Sequence, residues 1–140
     1  MKKTTIKLLL PGVLAIVTLI IVMGLALTAD AYERKSSRDK RVRIDVIPVQ
    51  LASGRPAKFE VRMNTHSVDF TQDMVAVSIL KDDNGNTYRA MIWNGSPPGG
   101  HHRSGVLEFP SLKGNPNAIT LFIRDIANVS ERIFEWKLKQ

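Results

Sequence analysis

Side chains able to do chemistry gather in one thirteen-residue stretch, Trp93 to Gly105 (WNGSPPGGHHRSG). It holds two prolines, four glycines, two adjacent histidines and an arginine. The chain has three histidines, and the third, His66, lies in a second polar stretch, THSVDFTQD. Imidazole is a favoured ligand of Zn and Cu, and three of them from two loops, beside the Asp69 carboxylate, supply enough donors for such a site. His66, His101 and His102 are therefore the candidate metal ligands. Spacing works against the full set. Neighbouring side chains of extended backbone point to opposite faces, so His101 and His102 both reach one ion only if Gly99-Gly100 bends the chain. The chain has no cysteine, and nothing in it matches a stronger metal motif such as two histidines on one helical face. Met63 and Met91 offer soft sulfur for copper(I), yet methionines in strands are more commonly core fillers.

The same residues suit other chemistry. Gly99-Gly100 followed by two histidines and Arg103 presents backbone N–H groups and a forked cation, fit for phosphate or carboxylate. It lacks the Lys-Ser/Thr pair and following helix of a phosphate loop. Trp93 with Asn94 could stack on a sugar ring. Ser67 or Ser104 beside a histidine has the residue types of an activated nucleophile, but these types serve a hydrogen-bonded turn equally well, and no catalytic residue is assigned. The plainest expectation is structural: Thr65, Ser67 and Asp69 bond the histidines across the loops, because long loops carry backbone groups that need partners. The binding candidates are His66, Asp69, Trp93, His101, His102 and Arg103. Asn94-Gly95-Ser96 and Asn128-Val129-Ser130 match the N-glycosylation pattern, which matters only in a secreting eukaryote.

Strands must position these loops. From Arg41, Val42, Ile44 and Val46 alternate with polar residues, then Ile47, Val49 and Leu51 follow on the opposite phase; a bulged edge strand at Pro48 is expected. Phe59, Val61 and Met63 alternate with Lys58, Glu60 and Arg62. Met74 to Leu80 (MVAVSIL) is more continuously apolar and predicts a central strand. Asp83-Asn84-Gly85-Asn86 is a hairpin turn, with a returning strand over Thr87 to Trp93. Further strands are expected at Val106 to Phe109, Ile119 to Ile123 and Phe134 to Leu138, where Trp136 is a core residue. The expectation is all-β: a seven-stranded antiparallel immunoglobulin-like β-sandwich over residues 41–140. With strands alternating up and down, the connections 64–73, 93–105 and 126–130 share one end. His66 then meets His101-His102, near Asp69, Asp73, Asp125 and Arg103. One missed strand between residues 74 and 93 would separate them.

Ahead of this domain, Leu8 to Leu27 is an uncharged run of twenty residues preceded by Lys2, Lys3 and Lys7. Twenty helical residues span roughly the 30 Å core of a bilayer, longer than the roughly 7–15 apolar residues of a cleaved signal. Residues 1–31 are therefore expected to be one N-terminal transmembrane helix, an anchor rather than a signal peptide cut at Ala29-Asp30-Ala31, and residues 32–40 (YERKSSRDK) a charged tether. The export-like start places the domain outside the cytoplasmic membrane, although Arg34, Lys35, Arg38, Lys40, Arg41 and Arg43 oppose this by charge count. The net charge of +7 divides into +4 over residues 1–40 and +3 over the rest. Most of it lies near the anchor, so a nucleic-acid partner is not expected.

THSVDF, then DDNGNTY, GGHHRSGVLEFP and an RD-x-A-x-V-x-ER-x-F-x-W ending resemble an uncharacterised group of prokaryotic exported or membrane-anchored β-sandwich domains over about residues 57–138. The resemblance implies the fold and the export, and no activity. The ligand motifs of copper-resistance and cupredoxin proteins are not matched. Together these readings lead to a cell-membrane protein with one anchor and an extracytoplasmic binding domain. Its expected site is the loop end carrying His66, His101 and His102, open to a ligand or an envelope protein partner. The alternative is Zn or Cu binding by those histidines.

Overall fold

Alternating apolar and polar residues become strands, but in nine pieces rather than the seven expected. The structure, a computed structural model, describes residues 31–139. Within them lie β1 (Lys35–Asp39), β2 (Val42–Gln50), β3 (Pro56–Asn64), β4 (Ser78–Asp82), β5 (Thr87–Arg89), β6 (Ile92–Gly95), β7 (His102–Ser111), β8 (Ala118–Ile126) and β9 (Val129–Lys137). Two antiparallel sheets, ordered β1-β2-β3-β7-β6 and β5-β4-β8-β9, enclose one apolar core in an all-β, sandwich-like arrangement. The expected transmembrane helix lies outside the described residues. Among the described residues no helix is long and apolar enough to cross a membrane.

Period-two patterning sets which side faces in. Strand β3 buries Ala57, Phe59, Val61 and Met63 and turns Lys58, Glu60 and Arg62 outward. Phe59 meets Trp136 of the opposite sheet at 5.5 Å between ring centroids, so the predicted core tryptophan joins the two layers. Each such large side chain, fully removed from water, contributes about 1.5–3 kcal/mol.

Several expected elements are corrected. The charged stretch 32–40 is not a free tether: residues 35–39 form edge strand β1, paired in register from Lys35↔Val46 to Asp39↔Val42. Side chains from the other sheet hold it. Arg132 donates to Ser37 Oγ and to Asp39 O, both at 3.0 Å, and Trp136 Nε1 donates to Glu33 O at 2.7 Å. The β1–β2 turn places Lys40 (φ 48°) and Arg41 (φ 61°) in the left-handed region. Tight hairpins need this geometry and usually supply it with Asn-Gly, since other residues there cost about 1–2 kcal/mol each.

Pro48 does mark a bulge, between Pro48 and Gln50. Strand β2 is nonetheless interior; only beyond Val46, where β1 ends, does it run at an edge, so the missing N–H of Pro48 has no ladder to break. The apolar run from Met74 begins with a single helical turn, in which the Asp73 carboxylate accepts the Val75 N–H and the Asp73 carbonyl accepts the Val77 N–H. A continuous apolar run carries no period to tell these apart. The expected strand 87–93 breaks at Ala90: β5 pairs with β4 in one sheet, β6 with β7 in the other. The Asp-Asn-Gly-Asn turn is as predicted. Its Asp82 carboxylate accepts the Asn84 and Asn86 backbone N–H groups and the Tyr88 hydroxyl.

Candidate functional site

The stretch from Trp93 to Gly105 is a hairpin rather than one long loop. Strands β6 and β7 pair as far as Gly95↔Gly105, and Ser96 N–H continues the ladder to Ser104 O at 2.9 Å. The two glycines stand back to back. A Cβ on Gly105 would lie 2.8 Å from Trp93 Cζ2 and 2.7 Å from Gly95 Cα, so the approach requires glycine on both strands. The tip then folds over the 65–73 loop: Gly99 N–H donates to Phe70 O at 2.7 Å and Phe70 N–H donates to Gly100 O at 3.0 Å. Phe70 is fully buried beneath it. The third connection also reaches this end, where Gln72 Nε2 donates to Asp125 O at 3.2 Å.

Arg103 faces inward and is 3% exposed. Its guanidinium donates to Ser96 O at 3.1 Å, Phe70 O at 3.3 Å and Gln72 O at 2.6 Å, and lies 5.3 Å from the centre of the Trp93 ring. Burial lowers its pKa from the usual arginine value, with the nearby Asp73 charge opposing. A buried guanidinium with three carbonyl partners braces two loops against each other. Arg103 is thus a brace here, not the forked cation expected for an anion at Gly99-Gly100. Trp93 is half-buried under the same guanidinium, and its Nε1 donates to Ser96 O at 2.9 Å.

The histidines do meet at one end. His66 and His102 stand edge to face with ring centroids 6.1 Å apart. The reason is pairing: β3 and β7 are neighbours, Asn64 lies opposite His102, and Thr65 N–H donates to His101 O at 3.0 Å. The missed strand break does not separate them, because both flank the same ladder. His102 Nδ1 lies 2.9 Å from Asn64 Oδ1, while His101 turns away to Asp69, Nε2 to Oδ1 at 3.8 Å. The adjacent histidines take different partners. Among the described residues no group of three or more His, Cys, Asp or Glu side chains could hold a metal ion. Two imidazoles, His66 and His102, are the most this arrangement brings together. Met63 is core; Met91 is 48% exposed.

Thr65, expected to bond a histidine, and Asn64, not singled out by sequence, complete this end. Buried Thr65 donates its hydroxyl to Arg41 O at 3.1 Å, tying the His66 loop to the β1–β2 turn. Asn64 positions His102. Arg38, Arg41, Arg43, Asn64, Thr65 and His66 surround a shallow depression of about 400 Å3. Arg38 lies in the stretch expected to be a tether, and only a strand assignment for residues 35–39 places it on the sheet opposite Arg43. No protein-family model, no curated protein and no solved structure matches the chain.

Proposed function

We propose that the chain is a membrane-anchored, extracytoplasmic binding domain of immunoglobulin-like type, whose site is the loop end carrying His66, His101 and His102. One observation carries this reading. Three exposed imidazoles from two loops sit on backbone fixed by the Arg103 brace and by three inter-loop backbone hydrogen bonds, so the surface is preorganised before any ligand arrives. The lysine-flanked apolar run Leu8 to Leu27 supports the anchor and the export. Preformed loops on a rigid sandwich are a common way of presenting a binding surface.

Metal binding is the second reading, favoured by the 6.1 Å approach of His66 to His102. The chain offers such an ion two imidazoles, which leaves Zn short of its usual four ligands. Imidazole Cε1–H resonances of the full-length protein in detergent separate the readings. Titration with Zn, with Cu(I) and with inorganic pyrophosphate is expected to move His66 and His102 together for at least one probe. A metal reading needs that probe to be Zn or Cu, with a melting shift lost in His66→Ala and His102→Ala. If no probe moves either resonance, the loop end is not a binding site for small ligands and the proposal fails. Protease access to the domain in intact cells checks the orientation.

A further inference from the structure

We infer that the depression beside the β1–β2 turn is an oxyanion site for a phosphate group, held by Arg38, Arg41 and Arg43 with His66 at its rim. The inference rests on reading this end as a binding surface and names what it binds. Sheet register puts the cations side by side: Arg38 lies opposite Arg43, Arg43 opposite Asn64, and Asn64 opposite His102. These four residues form one row across β1, β2, β3 and β7, on the outer face. Like charges directly opposite each other on paired strands destabilise a sheet, and a shared anion relieves that repulsion.

The available carboxylates answer only Arg43 of the row. Asp45 accepts the Arg43 Nε–H at 2.9 Å and the Ser36 hydroxyl. Asp39 accepts the Lys40 N–H within its own turn at 2.6 Å. Neither the Arg38 nor the Arg41 side chain makes an ion pair or a hydrogen bond with any described residue. Two guanidiniums therefore face the depression with their donors free, in a cavity of about 400 Å3 that also exposes Asn64 and Thr65. A planar guanidinium fork matches two oxygens of a phosphate, and several converging forks match its charge.

The backbone is strained at the same place. Lys40 and Arg41 both hold left-handed angles without glycine, and Thr65 fixes the Arg41 carbonyl from below. Strain of this kind persists where surrounding structure over-determines it, commonly at functional sites. Arg41 lines the depression together with Arg38 and His66. A phosphate could come free from solution or from an anionic lipid headgroup, since the chemistry recognised is the same.

The test uses the full-length, isotope-labelled protein in nanodiscs of neutral phosphatidylcholine, titrated with pyrophosphate at low ionic strength. Saturable shifts are expected at the Arg38 and Arg41 Nε–H resonances and at His66, and none from sodium chloride at matched ionic strength. The R38Q/R41Q protein should bind at least about tenfold more weakly, because each charged hydrogen bond lost is worth roughly that factor, with its melting temperature kept. Nanodiscs containing phosphatidylglycerol distinguish the sources: shifts at those resonances without pyrophosphate identify a headgroup, and shifts with pyrophosphate alone identify a free phosphate. No saturable shift from either source overturns the inference. In that event a response of His66 and His102 to Zn or Cu(I) would leave the binding surface standing, whereas silence from every probe removes both.

Discussion

Two arginine-bearing regions lie side by side at this end of the molecule and use the same side chain oppositely. In the β6–β7 hairpin, Arg103 points inward and its donors are taken by loop carbonyls. At the β1–β2 corner, the Arg38 and Arg41 side chains are exposed and bond no described residue. The first arrangement holds backbone in place; the second leaves charge for something else. Residue type alone does not separate a brace from a contact. Side-chain direction does, and in a strand that direction alternates with every residue. A one-residue change of phase would exchange the roles of His102 and Arg103.

The comparison breaks most sharply at Arg103. Arg103→Met should lower stability by about 3 kcal/mol, since the Gln72 carbonyl loses its charged donor inside the protein. That corresponds to a fall in melting temperature on the order of 10–20 °C for a domain of this size, readable by calorimetry. A fall of only a degree or two would mean that the loop end is braced by its backbone bonds alone.

A middle-sized effect is expected at Asp45, which anchors Arg43 beside the corner. Burial pushes its carboxyl up, but hydrogen bonds from Ser36 and Arg43, with the Arg43 charge, outweigh this and hold it below the usual carboxylate value. A depressed folded-state value contributes stability above the unfolded value, near pH 4, and loses it as pH falls through the folded one. Asp45→Asn should therefore cost about 1–2 kcal/mol at neutral pH, and the gap to the parent protein should close below about pH 4. Parallel melting curves at pH 3 and pH 7, with an unchanged gap, would contradict the assignment.

The smallest effect should come from the corner itself. Arg38→Gln is expected to leave stability within about 0.5 kcal/mol, or to raise it slightly, because it removes a like-charge pair and no partner. A loss above about 1 kcal/mol in urea unfolding would show that Arg38 is a structural residue like Arg103, and the contrast between the two regions would disappear.

Much of the molecule was legible in its sequence. Phe59-Val61-Met63 and Phe134-Trp136 announce their strands and their buried faces, because alternation records burial directly. The Asp83-Asn84-Gly85-Asn86 turn announces its hairpin, because few residues tolerate that backbone. The adjacency of His101 and His102 raised the expectation that they part, and the two take different partners, Asp69 and Asn64. The meeting of His66 with His102 was expected from strand counting, though the structure produces it by the direct pairing of β3 with β7. The strand at residues 35–39 was not legible. KSSRD has no apolar alternation, since it forms an exposed edge whose support comes from Arg132 and Trp136, about a hundred residues away.

By itself, then, the sequence determined the all-β class, the core-facing residues and a concentration of histidines in two connections, all of which follow from local pattern. Only the tertiary structure decided that Arg103 is interior and that Arg38, Arg41 and Arg43 gather beside His66. Both depend on strand phase and on which strands are neighbours. Those are set by packing between distant parts of the chain, and no local stretch encodes them.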